Sequence, residues 1–235
     1  MKYRIANVIM EYTPFGETLT AQSKAYQVED EQETDIKISF MEGFIEAKQK
    51  ECPHLSISDI EYIYAGSQFY NQLLAFNGFM LHSSAVAVDG NAYLFSAASG
   101  TGKSSHTGLW QELFGERASI INDDKPAIRI EDGDCYVYGT PFSGKTDKNL
   151  NVKVPLKGIC ILERGMENKV QRISDKEAIF YILDQTIRPR DEKMMEQLIE
   201  ILSQVLEVTP VYRMQCNISL EAAQLAYDTM KGEEQ

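Results

Sequence analysis

Ten residues, Ser96-Ala97-Ala98-Ser99-Gly100-Thr101-Gly102-Lys103-Ser104-Ser105, constrain this chain more than any others. They follow an apolar, strand-like run, Ala92-Tyr93-Leu94-Phe95, and precede a segment with helical periodicity. Small residues and glycines between a strand and a helix let successive backbone N–H groups turn inward on an anion, and the helix N-terminus adds its positive end. In such a phosphate-binding loop Ser99, Gly100, Thr101, Gly102 and Ser105 supply the cradle. Lys103 reaches the β- and γ-phosphates of a nucleotide, and the hydroxyl of Ser104 faces Mg²⁺. The full pattern asks for glycine at position 97, where this chain has Ala97. An alanine fits there provided that its φ stays negative.

With 235 residues the chain can build one large domain, or a core with a small appended module. A formal net charge of −12 opposes nucleic acid or an anionic membrane as the main partner. No stretch offers the ~20 apolar residues of a membrane span, and Met1-Lys2-Tyr3-Arg4-Ile5 lacks a long apolar signal region, so a cytoplasmic protein is expected. Cys52, Cys135, Cys160 and Cys216 are scattered without C-x-x-C spacing, which suits reduced thiols better than a zinc site or a disulfide framework.

Local patterns divide the chain into residues 1–77 and 78–235. The first part has strand-like patches over 3–12 and 35–40 around an acidic run, Glu29-Asp30-Glu31-Gln32-Glu33, and no chemical motif. It reads as a small β-rich module, either packed on the core or acting as a substrate-selecting lid, followed by a partly helical aromatic stretch over 64–79. Two apolar runs then flank Asp89-Gly90, a strong hairpin signal. Counting outward from that turn pairs position 82 with position 97 or 98, which sets His82 across the ladder from the start of the phosphate loop. A helix over 103–113, a short strand over 118–121 and a second hairpin around Glu131-Asp132-Gly133-Asp134 follow, with more strand over 152–154 and 158–162. The remainder is helical around one strand over 211–214. A capping box at Ser174-Asp175-Lys176-Glu177 opens the first helix, Arg188-Pro189-Arg190 breaks it, a second runs over 191–206 and a third over 220–230.

The strand over 118–121 ends in Asn122-Asp123-Asp124, twenty residues beyond Lys103. Phosphoryl transfer needs carboxylates at that place, one to hold Mg²⁺ opposite the loop hydroxyl and one to take a proton from the acceptor. The two can share those tasks because a chain leaving a strand is free to turn both side chains to one cleft.

The stretch L-H-S-S-A-V-A-V-D-G-N-A-Y-L-F-S-A-A-S-G-T-G-K-S, followed by I-I-N-D-D, resembles the catalytic domain of HPr kinase/phosphorylase and, more distantly, the nucleotide core of phosphoenolpyruvate carboxykinase. The resemblance covers roughly residues 78–165. It implies an α/β fold with a mixed sheet, a P-loop core and C-terminal helices, together with ATP and Mg²⁺ as cofactors. It matches His82 to the family's upstream histidine, Lys103 and Ser104 to its loop lysine and hydroxyl, and the aspartate pair to Asp123 as base and Asp124 near the metal. The glycine-rich signature that follows the core in HPr kinases is not visible, so the resemblance leaves open whether HPr is the acceptor and whether phosphorolysis occurs. Nearer likenesses are short HPr-kinase-related proteins found beside peptide-modification systems. A separate carboxykinase substrate domain has no room in a chain of this length.

The expectation is therefore an ATP- and Mg²⁺-dependent kinase acting on a hydroxyl of a peptide, protein or small molecule, with His82, Lys103 and Asp123 catalytic. The rival is a nucleotide-binding regulatory or scaffold protein without transfer, which Ala97 favours and the retained aspartates oppose. Lys145, Arg164, Arg188 and Arg190 are further candidates for phosphate contacts. His106 and Trp110, four apart on the helix, read as a packing pair rather than a ligand contact.

Overall fold

The computed structural model describes residues 1–29 and 31–232; Asp30 of the acidic run lies outside them. Strands β1 (Lys2–Ile5), β2 (Val8–Glu11), β3 (Gln27–Val28) and β4 (Ile36–Lys37) form a small sheet in the order β3-β1-β2-β4. Three helices accompany them, α1 (Glu17–Gln22), α2 (Phe44–Glu51) and α3 (Ile57–Leu73), so this part of the chain carries more helix than its strand-like patches foretold. Helix α3 starts well before the aromatic stretch because Ser56 and Asp59 form a capping box, each side chain accepting the other's backbone N–H.

The large sheet consists of β5 (Gly78–Met80), β6 (Ser83–Val88), β7 (Asn91–Ser96), β8 (Ala118–Asn122), β9 (Ala127–Glu131), β10 (Asp134–Tyr138), β11 (Lys153–Arg164), β12 (Lys169–Arg172) and β13 (Val211–Cys216). Its path is β5-β9-β10-β11-β7-β6-β8, with β13 joined to β11 and β12 to β13. Strand β11 runs parallel to β7 and β13, and all other described pairings in this sheet are antiparallel. Helices α4 (Lys103–Phe114), α5 (Asp175–Asp184), α6 (Glu192–Val208) and α7 (Leu220–Met230) complete a mixed α/β protein with a small N-terminal sheet, as the sequence implied.

Period-2 alternation along the central strands explains the layers. Ala85, Ala87, Leu94, Ile159 and Ile161 share one apolar cluster with Ala178 and Ile182 of α5 and Leu198, Leu202 and Val205 of α6. Val86, Val88, Tyr93, Phe95, Cys160 and Leu162 share another with Trp110 of α4 and Ala222, Ala223 and Ala226 of α7. A third cluster sets the small sheet and α3 against Met80, Ala127, Tyr138 and Phe142 of the larger body. No described helix is long and apolar enough to cross a membrane. The four cysteines are free, with Cys135 and Cys160 buried and Cys52 and Cys216 half-buried.

Two local expectations are refined. The strand segments over 152–154 and 158–162 are one continuous β11, whose pairing with β7 shifts register between Leu156 and Gly158. At the start of α5, Ser174 caps the Glu177 amide, but Glu177 does not reach back; its carboxylate instead accepts from Arg213 at 2.5 Å. A charged partner on β13 outcompetes a neutral backbone amide.

Candidate functional site

The hairpin of β6 and β7 closes through Asp89 and Gly90 at φ 51° and 78°, the left-handed pair of a two-residue turn, and pairs Ser83 with Ser96. That register carries position 82 to the beginning of loop 97–102. Within the loop, Gly100 and Gly102 hold φ of 78° and 120°, conformations that residues with a Cβ rarely adopt. Ala97 is not among the positive-φ residues, and its methyl is buried in the cluster of Phe95 and Trp110, so the missing glycine costs the loop no strain.

Lys103 opens α4 and is only 8% exposed. Its Nζ donates to the carbonyl of Ala97 at 3.0 Å, drawing the loop closed across its own mouth. Burial lowers its pKa, against the pull of the Asp124 and Asp123 carboxylates. Ser104 and Ser105 are exposed on the first turn. Arg164, at the far end of β11, donates Nε to the Thr101 carbonyl at 3.1 Å and Nη2 to the Gly100 carbonyl, which braces the loop tip from outside.

Opposite the loop, β8 ends in Asn122, fully buried. Its Oδ1 accepts from the amides of Asp124 and Lys125 at 2.9 and 2.8 Å, while its Nδ2 donates to the carbonyl and hydroxyl of Thr140 at 2.9 and 3.1 Å. This turn lets two consecutive carboxylates leave the strand toward the same side. Asp123 is 7% exposed. It accepts from Ser84 Oγ at 2.6 Å on Oδ1 and from Thr146 Oγ1 at 2.9 Å on Oδ2. Ser84 in turn contacts Thr107 Oγ1 of α4 at 2.7 Å, which ties the aspartate to the helix behind the loop. Asp124 pairs through Oδ2 with Lys125 Nζ, and its Oδ1 lies 3.4 Å from His82 Nε2. His82 Nδ1 meets Gln185 Oε1 at 3.1 Å, and its amide donates to the Gln185 carbonyl at 2.8 Å. A neutral ring can donate to only one of Gln185 and Asp124, whereas a protonated ring serves both. Burial, with the nearby Lys103 charge, holds the His82 pKa below its ordinary value in spite of Asp124.

These groups line one cleft of about 510 Å³: His82, Ser99, Gly100, Gly102, Lys103, Ser104, Ser105, Asp123 and Asp124 on two walls, Ser143, Gly144, Lys145 and Thr146 on a third. Thr101 faces instead an adjoining cavity of about 420 Å³, bounded by Leu109, Leu162, Arg164, Cys216 and Ile218. Arg188 and Arg190 are exposed on the connection between α5 and α6, outside the walls of the cleft. His106 and Trp110 pack inside, at 3% and 0% exposure, with Trp110 Nε1 donating to His106 Nε2 at 3.2 Å. Sequence reasoning passed over Ser84, Asn122, Lys125, Thr146 and Gln185. Asn122 and Lys125, which flank the aspartate pair, carried a visible signal; Ser84, Thr146 and Gln185 become neighbours of the site through folding alone.

No protein-family model matches the chain, and no curated protein matches it. Among solved structures it is similar to the HPr(Ser) kinase/phosphatase from Coxiella burnetii, with a TM-score of 0.34 and 11% identity, over 65% of this chain and 99% of that one. A likeness so remote does not specify an activity.

Proposed function

We propose that this protein is an ATP- and Mg²⁺-dependent kinase that transfers phosphate to a hydroxyl on a peptide, protein or small molecule. The observation that carries the reading is the shared cleft: a glycine-built anion loop with its lysine on one wall, and a buried aspartate whose two oxygens are each engaged by a hydroxyl on the other. Binding of nucleotide alone has no need of an aspartate so placed.

The donor set suits magnesium held together with nucleotide. Mg²⁺ takes one or two carboxylates, completes its shell with phosphate oxygens and water, and does not require a cage of protein ligands. Asp124 and the exposed Ser104 hydroxyl line the same cleft and would hold it, and among the described residues no cluster of three or more His, Cys, Asp or Glu competes for that role. When bound, Mg-ATP supplies the phosphoryl group and shields its charge. The loop amides and Lys103, released from the Ala97 carbonyl, would stabilise the charge developing on the transferred group. His82 would orient the γ-phosphate side of the cleft, steadied by Gln185. Asp123 would take the proton of the acceptor hydroxyl. The adjoining cavity beside Thr101, with its Leu109, Leu162 and Ile218 walls, suits the nucleoside.

The test is incubation of the purified protein with γ-labelled ATP and fractionated lysate, with and without Mg²⁺. Mg²⁺-dependent label on a hydroxyl-bearing species, absent for Lys103→Ala, is the expected result. Nucleotide bound without label in any fraction or on the protein itself would instead select the regulatory or scaffold reading.

A further inference from the structure

Two hydroxyls of the protein itself reach the candidate base: Ser84 is the closer but fully buried, whereas Thr146 lines the cleft. Thr146 Oγ1 donates to Asp123 Oδ2 at 2.9 Å, inside the cleft that holds Lys103 and the phosphate loop. Its position is built rather than incidental, because the segment carrying it is pinned at both ends. On one side the Gly144 amide donates to Tyr62 Oη at 2.9 Å and the Gly144 carbonyl accepts from Gln22 Nε2 at 3.0 Å. On the other, the Lys148 carbonyl accepts from the Asp123 amide at 3.1 Å, and Asn149 Oδ1 accepts from Tyr26 Oη at 2.7 Å. An exposed threonine side chain is thus presented to a buried carboxylate in the way an acceptor alcohol must be presented to a general base.

We infer that Thr146 is a phosphorylation site for the chain's own catalytic centre, modified in cis by a nucleoside triphosphate. The inference rests on the kinase reading above. Thr146 Oγ1 forms the new bond to the γ-phosphorus as the bond from that phosphorus to the β–γ bridging oxygen breaks. The nucleoside diphosphate leaves with that electron pair, and the hydroxyl proton passes to Asp123. The product has no further hydroxyl proton at that oxygen, so the reaction stops at one phosphate per chain. Its phosphate also adds negative charge beside Asp123 and Asp124.

The experiment uses the full chain with Mg-ATP, intact-mass measurement, and peptide mapping with a protease other than trypsin because Lys145 and Lys148 closely flank the site. Expected are up to one added phosphate, located on Thr146, and a rate constant independent of protein concentration. Thr146→Ser retains labelling, whereas Thr146→Val, of nearly equal size and checked for an unchanged melting transition, loses it. Nucleotide binding with label only on other residues or on an added acceptor overturns the inference and leaves the kinase reading intact. A second-order rate in protein overturns the cis assignment. Faster labelling of an added acceptor by Thr146→Val, with no phosphate on Thr146 in the parent, also overturns it and makes the residue a plug. Failure to bind nucleotide overturns both.

Discussion

Asp123 and Asp124 are neighbours in sequence and unlike in chemistry. The first has a hydroxyl donor on each carboxylate oxygen, and the second faces a lysine and an imidazole. Neutral donors that can also accept let Asp123 exchange a partner for a substrate hydroxyl without stranding a charge. Asp124 faces the Lys125 ammonium and the His82 imidazole, which a metal would displace. Asp123→Asn preserves size and hydrogen-bonding capacity but cannot take a proton, so phosphate transfer should fall by ~10²-fold or more, while Mg-ATP affinity changes much less. Asp124→Asn should raise the Mg²⁺ concentration needed for binding and transfer alike, because the amide lacks the charge that a hard cation seeks. Paired titrations of activity and of binding by calorimetry on each variant check this. Equal behaviour of the two would mean that they do not divide the work.

At the scale of elements, helix α4 presents the loop on its first turn and anchors it by its buried face. His106 and Trp110 lie against Phe95 of β7, the strand that feeds the loop, with the rings of Phe95 and His106 4.5 Å apart. Burial lowers the His106 pKa to about 4, and its Nε2 lone pair is committed to the Trp110 N–H. The unfolded chain takes up this proton near the ordinary histidine value, before the folded one can. Stability from this site is therefore complete above about pH 6.5 and declines as the pH falls toward about 4, by on the order of 3 kcal/mol. Urea denaturation of the protein and of His106→Gln, which keeps an acceptor for Trp110 but does not titrate, should converge as the pH is lowered through that window. A constant difference between them would show that the imidazole is not the group responsible.

Across the whole molecule, the N-terminal part braces the site through a buried carboxylate. Glu61 of α3 is fully buried and accepts from Tyr12 Oη and the Phe15 amide, both at 2.8 Å, and from the Gly16 amide at 2.7 Å. Those bonds dock the connection between β2 and α1, and just beyond it Gln22 and Tyr26 hold the segment that carries Thr146. Glu61→Gln turns one accepting oxygen into an N–H₂ that confronts an amide N–H. The expected cost is about 2–3 kcal/mol of stability, the order for a charged hydrogen bond replaced by an unpaired buried donor. Hydrogen exchange should quicken over residues 143–149 as well as over 12–16, since the two are mechanically linked. A change confined to 12–16 would separate the N-terminal part from the site.

Patterns short enough to be governed by their own residues could be read from the sequence. The two-residue turn at Asp89-Gly90 follows from left-handed conformations that Asp and Gly tolerate. The loop follows from Gly100, Gly102 and Lys103 between a strand and a helix, and α7 from its periodicity over Leu220–Met230. Because a hairpin converts a turn into a register, the location of His82 beside the loop was also legible. Contacts between residues far apart in the chain were not. Glu177 left its cap for Arg213, Arg164 reached back to the loop carbonyls, Gln185 met His82, and Thr146 met Asp123, because each pairing depends on which strands and helices become neighbours. Local propensity specifies dihedral angles one or a few residues at a time, and only the packing of the layers brings side chains separated by tens of residues within hydrogen-bonding distance.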